Sequence, residues 1–360
     1  MPNSKRLLAL DVFRGLTMAL MILVNTPGSW AYVYPPFRHA EWHGLTLTDL
    51  VFPFFLYIVG VSLYLVQRRR PLHLRRIWRR AFRLVLIGWL LRAFPFTEIR
   101  PSHFRFMGVL PRIGLAYGLS ATMVKYMSRR QLIVAMAVLL AGYWGVLVYY
   151  GQGAPYALET NAVRRLDLWL FGAGHLWHGK EIAFDPEGIL STFPAVVTVL
   201  LGYFSGIWIR EGRAGRDLMV WGTALVGAGS LWGVVFPVNK SLWTSSYVLV
   251  TGGLAMWLLA LLWWVLEVRQ WRRWSRPFEI FGRNAITGFV LSILWAKMLL
   301  KIKWTTPDGV RHSAYRWLYK QVFVPVFGQM NGSLAFALFS VVVVWVVLWY
   351  LWRRRIFLRV

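Results

Sequence analysis

The chain has 360 residues, 58% of them hydrophobic and 15% charged, with 41 Lys and Arg against 14 Asp and Glu and a formal net charge of +27. Apolar runs recur along the whole length with no long soluble block between them, and each is long enough to cross roughly 30 Å of hydrocarbon as a helix. A soluble enzyme is thereby excluded, and the absence of cysteine excludes disulfides, thiol catalysis and thiolate metal sites.

Helices must do the spanning, because a bilayer offers no water to open backbone groups. Taken in order, the apolar runs predict spans at 8–30, 45–67, 77–94, 106–126, 131–150, 190–209, 217–236, 246–267, 280–301 and 332–352. The expected fold is an all-α integral membrane protein of about ten transmembrane helices in one polytopic domain, 1–360. Met1 to Arg6 leads straight into an apolar segment carrying Asp11 and Arg14, so that segment is read as a retained helix and not a cleaved signal. With the first span running outward, most basic residues fall on one side: Lys5, Arg6, the run from Arg68 to Arg83, Lys125, Arg129, Arg130, Arg210, Arg213, Arg216, Arg269, Arg272, Arg273, Arg276 and Arg353 to Arg359. The positive-inside rule puts both termini in the cytoplasm, and anionic lipid headgroups account for the charge without nucleic acid. A bacterial inner membrane is the expected location.

Five connections then lie outside, and two are long. The one at 151–189 carries Glu159, Asp167, Glu181, Asp185 and Glu187 with His175, His178, Trp169 and Trp177. Carboxylates among tryptophans suit a sugar, whose C–H face packs on an indole, and equally an interfacial aromatic belt. The connection at 302–331 predicts a short amphipathic helix around Tyr315–Phe327, ended by Pro325 or Gly328.

The polar residues concentrate between Leu10 and Gly60, where a buried polar group is costly without a partner or a reaction. Asp11 and Arg14 stand three apart and share a helix face, which suits a paired anchor or a phosphate contact. Asn25 follows three turns later and can bond a neighbouring helix or serve a site. His39 lies in the first external connection, and imidazole is the natural proton shuttle near neutral pH. Asp49 sits one turn into the next helix, where the helix N-terminus stabilises it or where it orients a histidine. His39 and His43 are spaced for metal only if helical, which Gly44 and the Pro35–Pro36 pair oppose; no metal is expected.

Five motifs, LDVFRGLTMALMILVN, RHAEWHGLTLTDLVFPFF, VLPRIGLAYGLSA at 109–121, FDPEGILST at 184–192 and PVNKSLWTSSYVL at 237–249, give the chain a resemblance to the heparan-α-glucosaminide N-acetyltransferase family, in its shorter bacterial NagX-type form. The resemblance implies acetyl transfer across a membrane, from cytosolic acetyl-CoA to the amine of a glucosamine-type sugar on the far side, and suggests a homodimer. It maps the active histidine to His39 and its partner asparagine to Asn25. The DPEG motif maps to Asp185 and Glu187, and the VNK motif to Asn239 and Lys240.

The chemistry expected of these residues is general-base removal of a proton from the sugar ammonium by His39, or an acyl-imidazole on His39, with Asn25 donating to the oxyanion. Asp49, Asp185, Glu187, Asn239 and Lys240 are the expected substrate-binding residues. Arg14, Arg112, Arg283 and Asn284 are the polar groups in or near spans expected to meet the coenzyme A phosphates, with salt bridging as the competing role. The rival functions are a permease for N-acetylglucosamine or chitin fragments, and an acyltransferase for another cell-envelope glycan.

Overall fold

The structure, a computed structural model, describes residues 7–96, 100–305 and 311–358; Lys5, Arg6 and Arg359 of the orienting charges lie outside the described residues. Its helices are α1 (Leu8–Asn25), α2 (Val51–Gln67), α3 (Leu74–Ala93), α4 (Val109–Tyr126), α5 (Arg129–Tyr150), α6 (Ala162–Phe171), α7 (Thr192–Arg210), α8 (Ala214–Trp232), α9 (Ser245–Trp263), α10 (Arg276–Arg283), α11 (Ala285–Lys301), α12 (Ala314–Leu318) and α13 (Val324–Arg353). A short antiparallel hairpin, β1 (Lys303–Thr305) and β2 (Arg311–Ser313), pairs Trp304 with His312. Among the described residues, six helical stretches are long and apolar enough to cross a membrane, or seven if α10 and α11 form one bent span. The protein is an all-α membrane protein. Each of the ten expected spans contains a helix, but α3, α4 and α8 are not among the stretches that pass on length and apolarity; α3 carries Arg75, Arg76, Arg79, Arg80, Arg83 and Arg92.

The described residues cluster into two compact units: those within 7–39, 46–51 and 262–358 form one, and those within 40–45 and 52–261 the other. In the first, α1 opens where the Glu267 carboxylate accepts from the backbone N–H groups of Leu8 and Ala9, at 2.9 and 3.2 Å. That carboxylate satisfies donors the helix cannot bond itself and faces its positive end. The α1 and α10 backbones then nearly touch. A Cβ on Gly15 would lie 1.8 Å from the Phe278 carbonyl oxygen, and one on Gly282 would lie 1.9 Å from that of Asp11. Small residues at such crossings let helices pack tightly where no hydrophobic force drives them together.

The expected span 280–301 is broken. Asn284 leaves helical geometry (φ −124°, ψ 39°) and α10 and α11 bend by 76° there. The amide of Asn284 holds the break, donating to the Ile356 carbonyl at 3.1 Å and accepting from the Leu358 N–H at 3.3 Å. A helix covers the stretch expected at Tyr315–Phe327, and it ends at Gly328 (φ 73°), one of the two expected stops, where the backbone leaves helical geometry. It begins as α12, passes through a π-helical turn at Tyr319–Phe323 and runs on into α13, which kinks at that glycine. Pro325 falls in the first turn of α13, where its missing N–H costs nothing, so it does not stop the helix.

In the second unit, α2 and α7 cross as closely as α1 and α10 do: a Cβ on Gly60 would meet the Val199 carbonyl oxygen at 1.8 Å, and one on Gly202 that of Tyr57 at 1.9 Å. A buried cluster of Tyr143, Leu147, Val163, Phe184, Phe236 and Leu242 lies under the connections 151–189 and 237–244. It holds these loops in place, with Trp42 packed edge-on against Phe184 and its indole N–H donating to the Tyr156 carbonyl at 2.7 Å.

Candidate functional site

His39 and Asp49 of the first unit form a hydrogen-bonded dyad. The His39 Nδ1 lies 2.7 Å from Asp49 Oδ1, with the imidazole about half exposed and the carboxylate side chain only 2% exposed. The sequence makes this geometry locally. Arg38 to Leu47 is irregular chain, and the Thr46 N–H and hydroxyl reach Asp49 Oδ2 at 3.1 and 2.9 Å. One carboxylate oxygen is thus held by Thr46 and the other is turned to the imidazole. An ionised carboxylate only accepts, so a neutral His39 carries its proton on Nδ1 and presents Nε2 as the basic nitrogen. Asp49 is buried beside His39, in the place of the orienting carboxylate that the sequence offered as one of its readings.

Asn25 is exposed at the end of α1 and lines a cavity of about 880 Å³ within the same unit, together with Ser29, Trp30, Tyr32, Tyr315 and Arg316. Its amide makes no hydrogen bond among the described residues. Three other expected residues of this unit have partners within the protein. Arg14 donates to Asp11 at 3.1 Å and to the Gly282 carbonyl at 3.2 Å, which is the anchor role. Arg283 pairs with Glu279 one turn away, and Asn284 is committed to Ile356 and Leu358. These contacts are the salt-bridging role that competed with a coenzyme contact for Arg14 and Arg283, and a backbone-holding role for Asn284.

The second unit holds the other expected residues. Asp185, fully buried, receives two hydrogen bonds from Arg105, both at 2.6 Å, and the same guanidinium pairs with Glu187. A sugar ammonium reaching for Asp185 or Glu187 must compete with a cation already in place. Arg112 is also fully buried. Its Nη2 donates to the Ser191 hydroxyl and to the Gly188 carbonyl, its guanidinium lies 5.0 Å from the Trp243 ring centre, and its Nε and Nη1 have no partner among the described residues. It thus sits against the DPEG segment, which the sequence topology places outside, and not at the basic inner side where coenzyme phosphates were expected. Asp167 completes this cluster, with Oδ1 accepting from the Ile189 N–H at 3.0 Å and Oδ2 unpartnered. Burial pushes its carboxyl up to about 7; the Ile189 hydrogen bond opposes this, Asp185 reinforces it and Arg112 opposes it.

Asn239 is buried, and its amide orientation is fixed because Oδ1 accepts from the Leu242 N–H at 2.8 Å. Nδ2 therefore faces His43 Nδ1, 3.2 Å away, and donates to it. That bond holds His43 as the neutral tautomer with its proton on Nε2, and burial lowers its pKa in the same sense. Lys240 is half-buried beside Asn239. Trp169, in α6, is 80% exposed.

Arg105, the His43–Asn239 pair and Arg316 escape sequence reasoning. Arg105 carries a weak signal, a lone cation between Phe104 and Phe106 in a connection facing an acidic one; the other two depend on residues nearly two hundred and three hundred positions away.

The comparisons agree with the motifs that prompted these assignments. The family model described as the catalytic region of heparan-α-glucosaminide N-acetyltransferase matches residues 6–233. The human heparan-α-glucosaminide N-acetyltransferase is 28% identical over 376 residues, covering 86% of this chain and 56% of that protein. The mouse protein of the same name is 28% identical over 355 residues, covering 80% and 53%. The chain thus spans a little over half the length of these curated relatives. With the family model covering more than half of its own length, the chain belongs to the heparan-α-glucosaminide N-acetyltransferase catalytic family.

Proposed function

We propose that this protein is a transmembrane acetyltransferase that moves an acetyl group from cytosolic acetyl-CoA to the amine of a glucosamine-type sugar on the opposite side of a bacterial inner membrane. The observation that carries the reading is the His39–Asp49 dyad, built on the motif RHAEWHGLTLTD within an acetyltransferase family. A sugar ammonium becomes a nucleophile only on losing a proton, and a histidine whose Nδ1–H is committed to a buried carboxylate offers Nε2 for that step, or for carrying the acetyl group itself. The imidazolium formed on protonation is stabilised by the same carboxylate. Asn25, with a free amide at the wall of a large cavity, supplies a donor for the oxyanion of the tetrahedral intermediate. Ten helices cross the membrane in this reading, the bent pair α10–α11 counting as one, with both termini in the cytoplasm.

Purified protein given acetyl-CoA and glucosamine is expected to release free coenzyme A and N-acetylglucosamine, and His39→Ala is expected to abolish both. Uptake of N-acetylglucosamine into proteoliposomes that needs no acetyl-CoA and survives His39→Ala would replace this reading with transport.

A further inference from the structure

The cavity beside Asn25 has a composition that the acetyl transfer itself does not require. Its wall carries Trp30, Tyr32 and Tyr315 together with Arg316 and Lys320, and among the described residues no Asp or Glu lines it. Arg316 and Lys320 stand four residues apart at consecutive turns of α12 and the π-helical turn that follows, both exposed and neither ion-paired among the described residues. Elsewhere in this unit, Arg14 and Arg283 are each paired with a carboxylate within one helical turn. Two unpaired cations on one wall of a concave site present a fork and a point charge, the combination that holds a phosphate. The aromatic groups beside them suit the C–H face of a sugar ring, and the volume falls in the range that encloses a small ligand. Leu300 and Val324 add apolar groups to the same wall, and Leu300 is 49% exposed.

We propose that this cavity binds the phosphate of a phosphorylated amino sugar through Arg316 and Lys320, placing its amine toward Asn25. The amino-sugar part of this inference rests on the acetyltransferase reading; the phosphate part rests on the cavity alone. The phosphate can belong to a soluble sugar phosphate or to a sugar tethered to a lipid through that phosphate.

Isothermal titration of the full chain in detergent with glucosamine 1-phosphate and with glucosamine separates these ideas without relying on turnover. The sugar phosphate is expected to bind at least tenfold more tightly than glucosamine. The double variant Arg316→Gln/Lys320→Gln is expected to lose that preference, while the exchange Arg316→Lys/Lys320→Arg keeps most of it and shows that the fold is intact. The octyl phosphodiester of glucosamine binding more tightly than glucosamine 1-phosphate supports the lipid-tethered source; equal binding supports the soluble one. Equal binding of glucosamine and its 1-phosphate to the unaltered chain, or unchanged binding in the neutralised variant, overturns the proposal. If the cation-dependent binding holds while no amine is acetylated, the phosphate site stands and the acetyltransferase reading falls.

Discussion

Replacing Asp49 by Asn tests the site most sharply, because the structure fixes which way the new amide must face. The Thr46 N–H donates to the carboxylate oxygen turned away from His39, while the single proton of the Thr46 hydroxyl faces both that oxygen and the Arg38 carbonyl; the N–H keeps the amide oxygen in that place, and the NH₂ group points at His39 Nδ1. Size and shape are kept. The hydrogen bond at 2.7 Å reverses its direction: Nδ1 becomes the acceptor, and the proton moves to Nε2, where a base or an acyl carrier needs a lone pair. The imidazolium also loses its counter-charge. A carboxylate-to-amide change behind a catalytic imidazole costs up to about 10⁴ in kcat on these grounds, and a fall of roughly 10²–10⁴, or about 3–5 kcal/mol of transition-state stabilisation, is expected here. KM for the amino sugar should move less than threefold, since a carboxylate this deeply buried touches no substrate. The assay is coenzyme A release at saturating acetyl-CoA over a range of glucosamine, with thermal unfolding of both proteins as the control. A kcat within threefold of the unaltered chain, or an effect confined to KM, refutes the tautomer argument and returns Asp49 to the sugar.

Arg105→Gln removes the cation held against Asp185 and Glu187, leaving a fully buried carboxylate uncompensated; a loss of about 3–5 kcal/mol of stability is expected, read as a lowered unfolding temperature. Asp167, held up to about 7 against an ordinary value of 3.8, binds its proton more tightly folded than unfolded, so its contribution to stability is complete below pH 4 and is lost as pH rises through 7. The unfolding temperature should therefore fall between pH 5 and pH 8, and Asp167→Asn, which keeps the acceptor for Ile189 N–H, should reduce that fall; an undiminished fall places the titrating group elsewhere. Gly60→Ala drives a methyl group to 1.8 Å from the Val199 carbonyl and should abolish folded yield in detergent, whereas Gly142→Ala, at a position where a Cβ meets nothing within 4 Å, should leave it unchanged.

Six of the expected spans, and a seventh if α10 and α11 count as one, were legible because hydrocarbon imposes one rule on every residue of a crossing helix, and that rule survives ignorance of the neighbours. The break between α10 and α11 was not, because it depends on pairings at long range. Asn284 reads as one more polar residue near a span until Ile356 and Leu358 supply the backbone groups that satisfy its amide and stabilise a bend of 76°. Pro325 and Gly328 both read as stops; the π-helical turn carries the chain past Pro325, and the break falls at Gly328 (φ 73°), where a glycine takes the left-handed backbone most easily.

The same division runs through the site. His39 and Asp49 are ten residues apart, close enough that a loop without helix and a Thr at 46 bring them together, and the sequence offered an orienting carboxylate among its readings of Asp49. Asp185 and Glu187 invited the opposite conclusion from the one their surroundings give, because a carboxylate's availability is set by the nearest cation in space and not by its own motif. Arg105 lies eighty residues before Asp185, and nothing in the sequence of either loop measures that distance. Arg112 shows the limit most clearly. Its charge predicted a phosphate contact, but full burial against Trp243, with two nitrogens unpartnered, makes it a group whose desolvation must be offset by something packed beside it. The nearby raised carboxyl of Asp167 meets that need only when ionised, which couples its protonation to the electrostatic surroundings of Arg112.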